Sequence, residues 1–445
     1  MFKHKKYERY KYSGVEWIGK IPEQWSAFKL KQYCEVKDGT HDTPKYVEEV
    51  EENYPLITSK DIINNNIDFS NAKYISKEDY IAINKRSDVT LNDVIMPMIG
   101  TIGNPAIVST NRKFSIKNVA LFKTNENKIK AKFLQYLIES YTIQEQFNLL
   151  NRGGVQNFVS LSILKNMYVI NPKQDINEIV EYLDKKTSEI DSLVADKEKL
   201  VTLLEEKRQA IIVETVTKGL NPNVKMKDSG VEWIGEIPQH WNIILFKRLI
   251  KGIKDGTHGT HDRVNDGEVL LSAKNIQDGN IIISESESKI SYEKYSKIVS
   301  NGYPSKGDIL LCCVGTIGRS CVYSYEKPLA FQRSVAFIRL QKNEDEYFYN
   351  YFIQTKIYQE QLMSYAKTSA QSGVYMNDII NTYVLKVPLN EQVQIVEYLN
   401  TKVKEINSLV LGVQKQIEKL KEYRQSLISE VVTGKIDVRD YFKEA

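Results

Sequence analysis

The sequence SGVEWIGKIPEQW at residues 13–25 returns as SGVEWIGEIPQHW at residues 229–241, with 10 of 13 positions identical, so that Ser13 corresponds to Ser229. Other matches keep nearly the same offset: KDGTH at residues 37–41 and 254–258, GTIG at 100–103 and 315–318, and IVEYL at 179–183 and 395–399. Two copies of such a repeat fill almost the whole chain of 445 residues. A period this long indicates a duplicated domain with its connector rather than a solenoid, and it predicts pseudo-twofold symmetry.

Each repeat ends in a stretch of helical character. Residues 174–218 contain no glycine or proline, and apolar residues recur there, and again at the equivalent positions of the second repeat, with the 3.5-residue spacing of a coiled-coil seam. We therefore predict two long helices that pack against each other as a coiled coil. The predicted seam residues are Ile179, Leu183, Ile190, Leu193, Leu200, Leu204 and Ile211, then Ile395, Leu399, Ile406, Leu409, Val413, Leu420 and Leu427. The alternative is two separate amphipathic helices, each packed on its own globular core.

The rest of each repeat is rich in short β-strand patterns, such as NVALFKT at residues 118–124 and SVAFIRL at residues 334–340. The predicted fold class is therefore α+β, with two similar globular domains in tandem, each followed by a long α-helix. The predicted boundaries are a first globular domain at 1–172, a first helix at 173–220, a second globular domain at 221–388, a second helix at 389–436 and a tail at 437–445.

The composition excludes several classes of protein. With 42% hydrophobic and 27% charged residues, a chain of 445 residues is too apolar to be disordered and too long for one ordinary core. The four cysteines, Cys34, Cys312, Cys313 and Cys321, lack the spacing of a disulfide framework, which favours a reducing compartment. No stretch approaches the roughly 18 apolar residues that span a bilayer. We therefore predict a soluble, cytoplasmic protein.

The sequence shows no recognisable catalytic constellation. It lacks a phosphate-binding GxxxxGK[ST] motif and a GxSxG nucleophile elbow, and its Asn-Pro pairs lack the second proline and the aromatic residue of an adenine methyltransferase site. The tract HGTHD at residues 258–262 has a spacing that could hold a metal ion. The first repeat has HDTPK at residues 41–45 instead, so a duplicated metal site is excluded and we predict no metal.

The distribution of charge favours nucleic acid as a partner. The net charge is only +4, but residues 174–218 hold 11 acidic and 7 basic residues, and residues 391–433 hold 6 of each, which leaves +8 on the globular domains. Proteins that read DNA need Lys and Arg for phosphates and a few polar side chains for base edges. An ordinary mixed surface is the alternative interpretation of the same charge.

Taken together, the motifs resemble those of the specificity subunit of type I restriction-modification enzymes, over essentially the whole chain. The resemblance rests on the duplicated EWIGxIPxxW, DGTH, GTIG and IVEYL motifs and on RQxxIxExVT at residues 208–217 and 424–433. It implies two target recognition domains that read the halves of a split double-stranded DNA target, with the two long helices packed antiparallel as a coiled-coil spacer between them. It also implies that two modification subunits supply S-adenosylmethionine and the methylating site, and that restriction subunits supply translocation and cleavage with ATP and magnesium. The chain itself would be non-catalytic and bind none of these cofactors.

Candidate DNA-contact residues follow from the repeated and the divergent segments. Repeated positions suit backbone contacts: Lys37, Thr40, His41, Lys60 and Thr101, with Lys254, Thr257, His258, Lys274, Thr316 and Arg319 in the second copy. Divergent segments suit base reading and an asymmetric target: Arg152, Gln156 and Asn157, then Lys367, Gln371, Tyr375 and Asn377, with Gln332 and Arg333 as further candidates. A structural or solvated role is the alternative for each. Trp17, Trp25, Trp233 and Trp241 are assigned to packing. An enzyme with an unrecognised site and a pure coiled-coil scaffold are the competing functions.

Overall fold

The computed structural model describes residues 5–150, 158–277, 279–366 and 373–441. The chain divides into two compact units: Met1–Glu198 with Gln414–Ala445 form unit 1, and Lys199–Val413 form unit 2. Each unit contains a globular α+β part and segments of two long helices, so the predicted α+β class is confirmed. Among the described residues, no helix combines the length and the apolar character that crossing a membrane requires.

In its described residues, the globular part of unit 1 contains short strands and five α-helices. The strands are β1 Tyr10–Tyr12, β2 Lys20–Pro22, β3 Ser26–Lys29, β4 Glu35–Asp38, β5 Tyr54–Ile57, β6 Ile62–Ile63, β7 Asn66–Ile67, β8 Lys73–Ile75, β9 Val94–Pro97, β10 Ala106–Ile107, β11 Ser115–Ile116, β12 Val119–Lys123 and β13 Tyr168–Asn171. The helices are α1 Leu30–Tyr33, α2 Lys77–Asn84, α3 Lys128–Glu139, α4 Tyr141–Leu150 and α5 Leu161–Asn166, after which the long helix α6 Ile176–Lys218 begins.

Unit 2 repeats this plan. Its strands are β14 Met226–Asp228, β15 Glu236–Pro238, β16 Asn242–Leu245, β17 Ile250–Asp255, β18 Glu268–Leu271, β19 Ile276–Gln277, β20 Asn280–Ile281, β21 Lys289–Ile290, β22 Ile309–Cys312, β23 Ser320–Val322, β24 Ala330–Phe331, β25 Val335–Leu340 and β26 Tyr383–Lys386. Its helices are α7 Tyr292–Val299, α8 Glu346–Ile353, α9 Lys356–Ser364 and α10 Met376–Ile380, followed by the long helix α11 Leu389–Val432.

The two globular parts share one sheet topology. The main sheet of unit 1 has the antiparallel order β10-β9-β12-β4, and that of unit 2 has the matching order β23-β22-β25-β17. A three-stranded sheet lies beside each, with order β11-β5-β8 or β24-β18-β21. Strands β9 and β22 are buried along their whole length, as expected of continuous apolar runs that face packed layers on both sides. The duplication seen in the sequence is therefore a duplication of topology.

The long helices pair antiparallel within each unit. In unit 1, Arg424 contacts Asp191 at 2.8 Å and Lys197 contacts Gln416 at 2.6 Å, so rising numbers on α6 meet falling numbers on α11. In unit 2, the Nη1 atom of Arg208 donates to the Oδ1 atom of Asn407 at 2.6 Å. Helix α6 has 43 residues, which at 1.5 Å per residue gives a length of about 65 Å.

The seam of the helix pair differs from the prediction by one residue in one column. Leu193, Leu200 and Leu409 are 44, 42 and 56% exposed. The next residues along the chain lie in the seam instead: Val194 and Val410 are both 8% exposed, and Val201 is half-buried. A shift of one residue turns a side chain by about 100° around a helix, which moves these leucines out of the contact. The other predicted seam residues, Ile179, Leu183, Ile190, Leu204, Ile211, Ile395, Leu399, Ile406, Val413, Leu420 and Leu427, are buried or half-buried.

Candidate nucleic-acid interface

The DGTH loops follow equivalent strands in the two units. In unit 1 the loop leaves β4, and the Thr40 amide donates to the carbonyl oxygen of Ile116 at 3.0 Å. A Cβ atom on Gly39 would lie 2.0 Å from that same oxygen, so only glycine fits here. Gly256 in unit 2 is equally confined, because its Cβ would lie 2.3 Å from the carbonyl oxygens of Phe331 and Gln332. These glycines allow the loop to pack against the protein's own backbone.

In each DGTH motif, the carboxylate of the aspartate contacts the ring of the histidine. Asp38 is 3% exposed, and its carboxylate lies 3.0 Å from Nε2 of His41 and accepts a hydrogen bond from Arg86. The other ring nitrogen of His41, Nδ1, lies 2.9 Å from Oδ1 of Asn118. In unit 2, Nε2 of His258 lies 2.7 Å from Oδ2 of Asp255. The aspartates therefore fix the orientation of imidazoles that stay partly exposed.

A cavity of about 650 Å³ in unit 1 collects several polar and basic side chains. Its lining brings the predicted residues Lys60 and Thr101 together with Lys117 and Asn118, which follow β11. Lys73 and Tyr46 complete the basic and aromatic part of the lining. The one carboxylate among the described lining residues, Asp61, accepts hydrogen bonds from the amide and hydroxyl of Thr58 at 2.7 Å each. The cavity therefore presents ammonium groups with little compensating negative charge.

Unit 2 has a cavity at a different, non-equivalent place, between its DGTH loop and α7. A cavity of about 430 Å³ contains Thr257, whose Oγ1 atom lies 2.9 Å from Nε2 of His261. Lys294 and Lys297 also line it, and Lys294 contacts Asp262 at 2.6 Å. Gln332 and Arg333 stand where unit 1 has Lys117 and Asn118: the amide of Arg333 donates to the Thr257 carbonyl at 3.0 Å, as that of Asn118 does to Thr40.

Of the other residues predicted in the first repeat, Lys37 forms ion pairs and three lie outside the described residues. Lys37 contacts Asp88 at 3.1 Å and Glu35 at 3.5 Å. Burial opposes its charge, but the hydrogen bonds to Asp88 and Glu35 prevail and raise the pKa of the Lys37 ammonium. Arg152, Gln156 and Asn157 lie outside the described residues. Lys37 is thus engaged by carboxylates of its own unit.

In the second repeat the predicted residues are spread more widely. Lys254 lies over the ring of Tyr303, and Lys274 contacts Glu287 at 2.9 Å. Arg319 lines a different cavity, beside the helix pair, and Thr316 lies in the GTIG loop that leads to it. Tyr375, which precedes α10, is 62% exposed, and Asn377 within α10 is exposed as well. Lys367 and Gln371 lie outside the described residues.

The ends of the divergent segments lie next to the GTIG loops. Phe158 pairs with Ile99, immediately before GTIG in unit 1, and Gly373 pairs with Val314, immediately before GTIG in unit 2. The residues predicted from the sequence include these divergent segments but not Lys117, Asn118, Lys73 and Tyr46. The repeat itself could have identified the first two, because residues 116–118 occupy the position of residues 331–333, which include the predicted Gln332 and Arg333.

The tryptophans of the repeated opening motif separate into two classes. Trp25 and Trp241 are 0% exposed, and their indole nitrogens donate to Asp175 at 2.8 Å and to Glu391 at 3.0 Å. These two residues therefore pack as predicted and tie each globular part to the start of its long helix. Trp17 and Trp233 are 45 and 46% exposed, so they pack only in part.

Comparison with known proteins gives one consistent family. The model of the type I restriction modification DNA specificity domain matches residues 22–201 and 261–419. A Methanocaldococcus jannaschii protein that carries the name of the type I restriction enzyme MjaX specificity subunit is 24% identical over 95% of this chain and 96% of its own. The EcoBI specificity subunit of Escherichia coli is 23% identical over 92% of this chain and 83% of its own.

A solved structure supports the fold. A chain from work on complex assembly and conformational transition of the type I R-M system matches with a TM-score of 0.67 and 16% identity, over 93% of this chain and 98% of its own. The family model covers more than half of the present sequence, in two regions that fall on the two repeats. This protein therefore belongs to the type I restriction modification DNA specificity domain family.

Proposed function

We propose that this chain is the DNA sequence-recognition subunit of a type I restriction-modification complex and that it binds a bipartite, asymmetric DNA target. One observation carries the proposal. The two units share a sheet topology and a DGTH framework, yet equivalent positions beside that framework hold different side chains, Lys117 and Asn118 in one and Gln332 and Arg333 in the other. Two domains with the same backbone but different side chains at equivalent positions suit the recognition of two different halves of a DNA target.

The chemistry of the proposed contacts follows the residue types. The ammonium groups of Lys60, Lys73 and Lys117 would neutralise phosphates and fix the position of the duplex. Arg333 is exposed at a position fixed by its backbone hydrogen bond, and a guanidinium there could pair with the O6 and N7 atoms of guanine. We keep Arg152, Gln156, Asn157, Lys367, Gln371, Tyr375 and Asn377 as base-reading candidates, because the segments that contain them end beside the GTIG loops.

We further propose the division of labour within the complex. Residues 1–172 and 221–388 would be the target recognition domains, and residues 173–220 and 389–436 the spacer that two modification subunits bind. The exposed Leu193, Leu200 and Leu409 are candidates for that contact, since apolar side chains of this size gain from burial against a partner. The chain would be non-catalytic and act in the cytoplasm, while its partner subunits would bind S-adenosylmethionine, ATP and magnesium.

Genome-wide mapping of methylated adenines tests this proposal. Cells that express the chain with its modification subunit should show a split, asymmetric motif that is lost without the chain. Arg333→Ala should weaken or relax one half only, by about 1–3 kcal/mol, or roughly 5-fold to 150-fold in discrimination. Lys342→Ala is the matched control, because Lys342 is also exposed but follows β25 at its far end.

Two outcomes would contradict the proposal. A short continuous palindrome, or methylation that does not change when the chain is absent, would mean that another subunit reads the sequence. Turnover of duplex DNA by the purified chain alone, with magnesium and S-adenosylmethionine, would mean that the chain is an enzyme.

A further inference from the structure

In unit 1, one arginine of the helix pair is neutralised by two carboxylates. The Nε atom of Arg424 donates to Oδ1 of Asp191 on α6 at 2.8 Å, and its Nη1 atom donates to Oε2 of Glu139, at the end of α3, at 3.4 Å. Asn65 also donates a hydrogen bond to the Glu139 carboxylate. The Glu139 side chain is 11% exposed, and its burial raises its pKa while Arg424 opposes that rise. Where the helix pair meets the globular part of unit 1, the carboxylates of Asp191 and Glu139 therefore neutralise Arg424.

Unit 2 has the same arginine without the carboxylates. Arg208 occupies the position in the first repeat that Arg424 occupies in the second, and it donates to Asn407, which is the repeat equivalent of Asp191. Residues 351–361 (YFIQTKIYQEQ) align with residues 136–146 (YLIESYTIQEQ), so Gln354 takes the place of Glu139. Gly279, in the turn between β19 and β20, takes the place of Asn65 between β6 and β7. Relative to unit 1, unit 2 thus has an amide side chain in place of each of the two carboxylates. It also has no side chain where unit 1 has that of Asn65.

These replacements accompany a cavity of about 330 Å³ in unit 2. The Gln354 amide donates to the carbonyl oxygen of Ser320 at 3.3 Å, and Gly279 contributes no side chain. Arg208 and Arg319 both line the cavity, with Gln354, Gln359 and Asn407. Among the described lining residues none is acidic. Among the described residues, the equivalent place that carries one positive and two negative groups in unit 1 therefore carries two positive groups and no negative one in unit 2.

We propose that this cavity is a phosphate-binding site in which Arg208 and Arg319 bind the anion. A phosphate monoester carries a charge of about −1.5 to −2 at neutral pH, which matches two guanidinium groups. Guanidinium donors form paired, charge-assisted hydrogen bonds with phosphate oxygens, and nearby amides add neutral donors. A water molecule occupies about 30 Å³, so the cavity has room for a phosphate with an organic group attached. Neither Arg208 nor Arg319 is among the proposed base-reading residues, so this proposal does not depend on those contacts.

The duplication provides the test variant. Gln354→Glu with Asn407→Asp installs in unit 2 the two carboxylates that unit 1 already places beside the equivalent arginine, so the fold should tolerate them. Calorimetric titration of the purified full chain with inorganic phosphate should show binding to the wild type. The double variant should bind at least tenfold more weakly, because its own carboxylates compete for the arginines. Arg319→Ala should also weaken binding, and Lys342→Ala should not.

Duplex DNA without a target sequence distinguishes the source of the phosphate. If the double variant loses DNA affinity in parallel with phosphate affinity at the same salt concentration, the site takes a backbone phosphate. If DNA binding is retained while phosphate binding is lost, the site takes a free phosphate compound. Absence of phosphate binding to the wild type, or equal binding by the double variant, would overturn the proposal. The methylation motif is measured separately, so failure here leaves the proposed function untouched.

Discussion

Trp25→Phe should destabilise unit 1 more than Trp241→Phe destabilises unit 2, although the two residues occupy the same place in the repeat. Both side chains are fully buried, and both indole nitrogens donate to a carboxylate. The carboxylates differ. Asp175 is 3% exposed, whereas the Glu391 side chain is 29% exposed and also contacts Nε2 of His240 at 2.8 Å. Water can replace the lost donor at Glu391 but has little access to Asp175.

The magnitude follows from that difference. Loss of part of a buried aromatic ring costs about 1–2 kcal/mol in either unit. A buried carboxylate left without its donor adds about 2–3 kcal/mol in unit 1, while the more exposed bond in unit 2 adds about 0.5–1 kcal/mol. We expect total losses of about 3–5 kcal/mol for Trp25→Phe and about 1.5–3 kcal/mol for Trp241→Phe.

Native-state hydrogen exchange of the full chain, followed by mass spectrometry, measures each unit separately. Trp25→Phe should reduce amide protection in β12 by about 10²-fold to 4 × 10³-fold and leave β25 largely unchanged, since each 1.4 kcal/mol is a factor of about ten. Trp241→Phe should reduce protection in β25 by about 10-fold to 100-fold. Equal losses in the two variants would refute the reasoning that exposure of the acceptor sets the cost.

Three further outcomes follow from individual residues. Gly39→Ala should lower the free energy of unfolding by about 1–3 kcal/mol in urea titrations, because its Cβ would lie 2.0 Å from a backbone oxygen; an unchanged midpoint would contradict the packing described. Gly412→Ala should stabilise α11 by about 0.5–1 kcal/mol, seen as slower amide exchange in that helix, because the position is open and helical; faster exchange would be inconsistent with it. Burial raises the pKa of Cys312 to about 11 and that of Cys34 to about 12, so these two thiols should stay protonated at pH 8 in the native protein. They should therefore react with a thiol reagent at least about 100-fold more slowly than in the unfolded chain. Reactivity should rise as pH approaches 11, and rapid labelling of native protein at pH 8 would contradict the burial.

The sequence predicted the duplication, the α+β class and the two helices, because these depend on residue spacing that the two copies of the repeat share. It placed one seam column wrongly because Leu193 and Val194 are both apolar, and only the partner helix determines which of them is buried. The charged position shared by Arg208 and Arg424 was not predicted, because a 3.5-residue pattern of apolar residues does not mark an arginine. The partners of these arginines are also remote in sequence.

The candidate site was predicted less completely. The DGTH motif predicted Thr40 and His41 as site residues. It did not predict that Asp38 orients His41, because Asp38 also binds Arg86, which is remote in sequence. Lys117 belongs to a short strand-like run, and nothing local marks it as facing a cavity. Long-range placement of this kind depends on sheet topology, which the repeat implies but does not specify.

The hydrogen bonds that secure the DGTH loops have a consequence for how such a protein can change over generations. They join Thr40 and Thr257 to main-chain atoms of residues 116, 118, 331 and 333, and every amino acid except proline supplies such atoms in full. Mutations at positions 117, 332 and 333 can therefore alter the chemistry presented to a ligand while the loop keeps its main-chain hydrogen bonds. Selection can act on new specificities there without first having to find compensating changes in the interior.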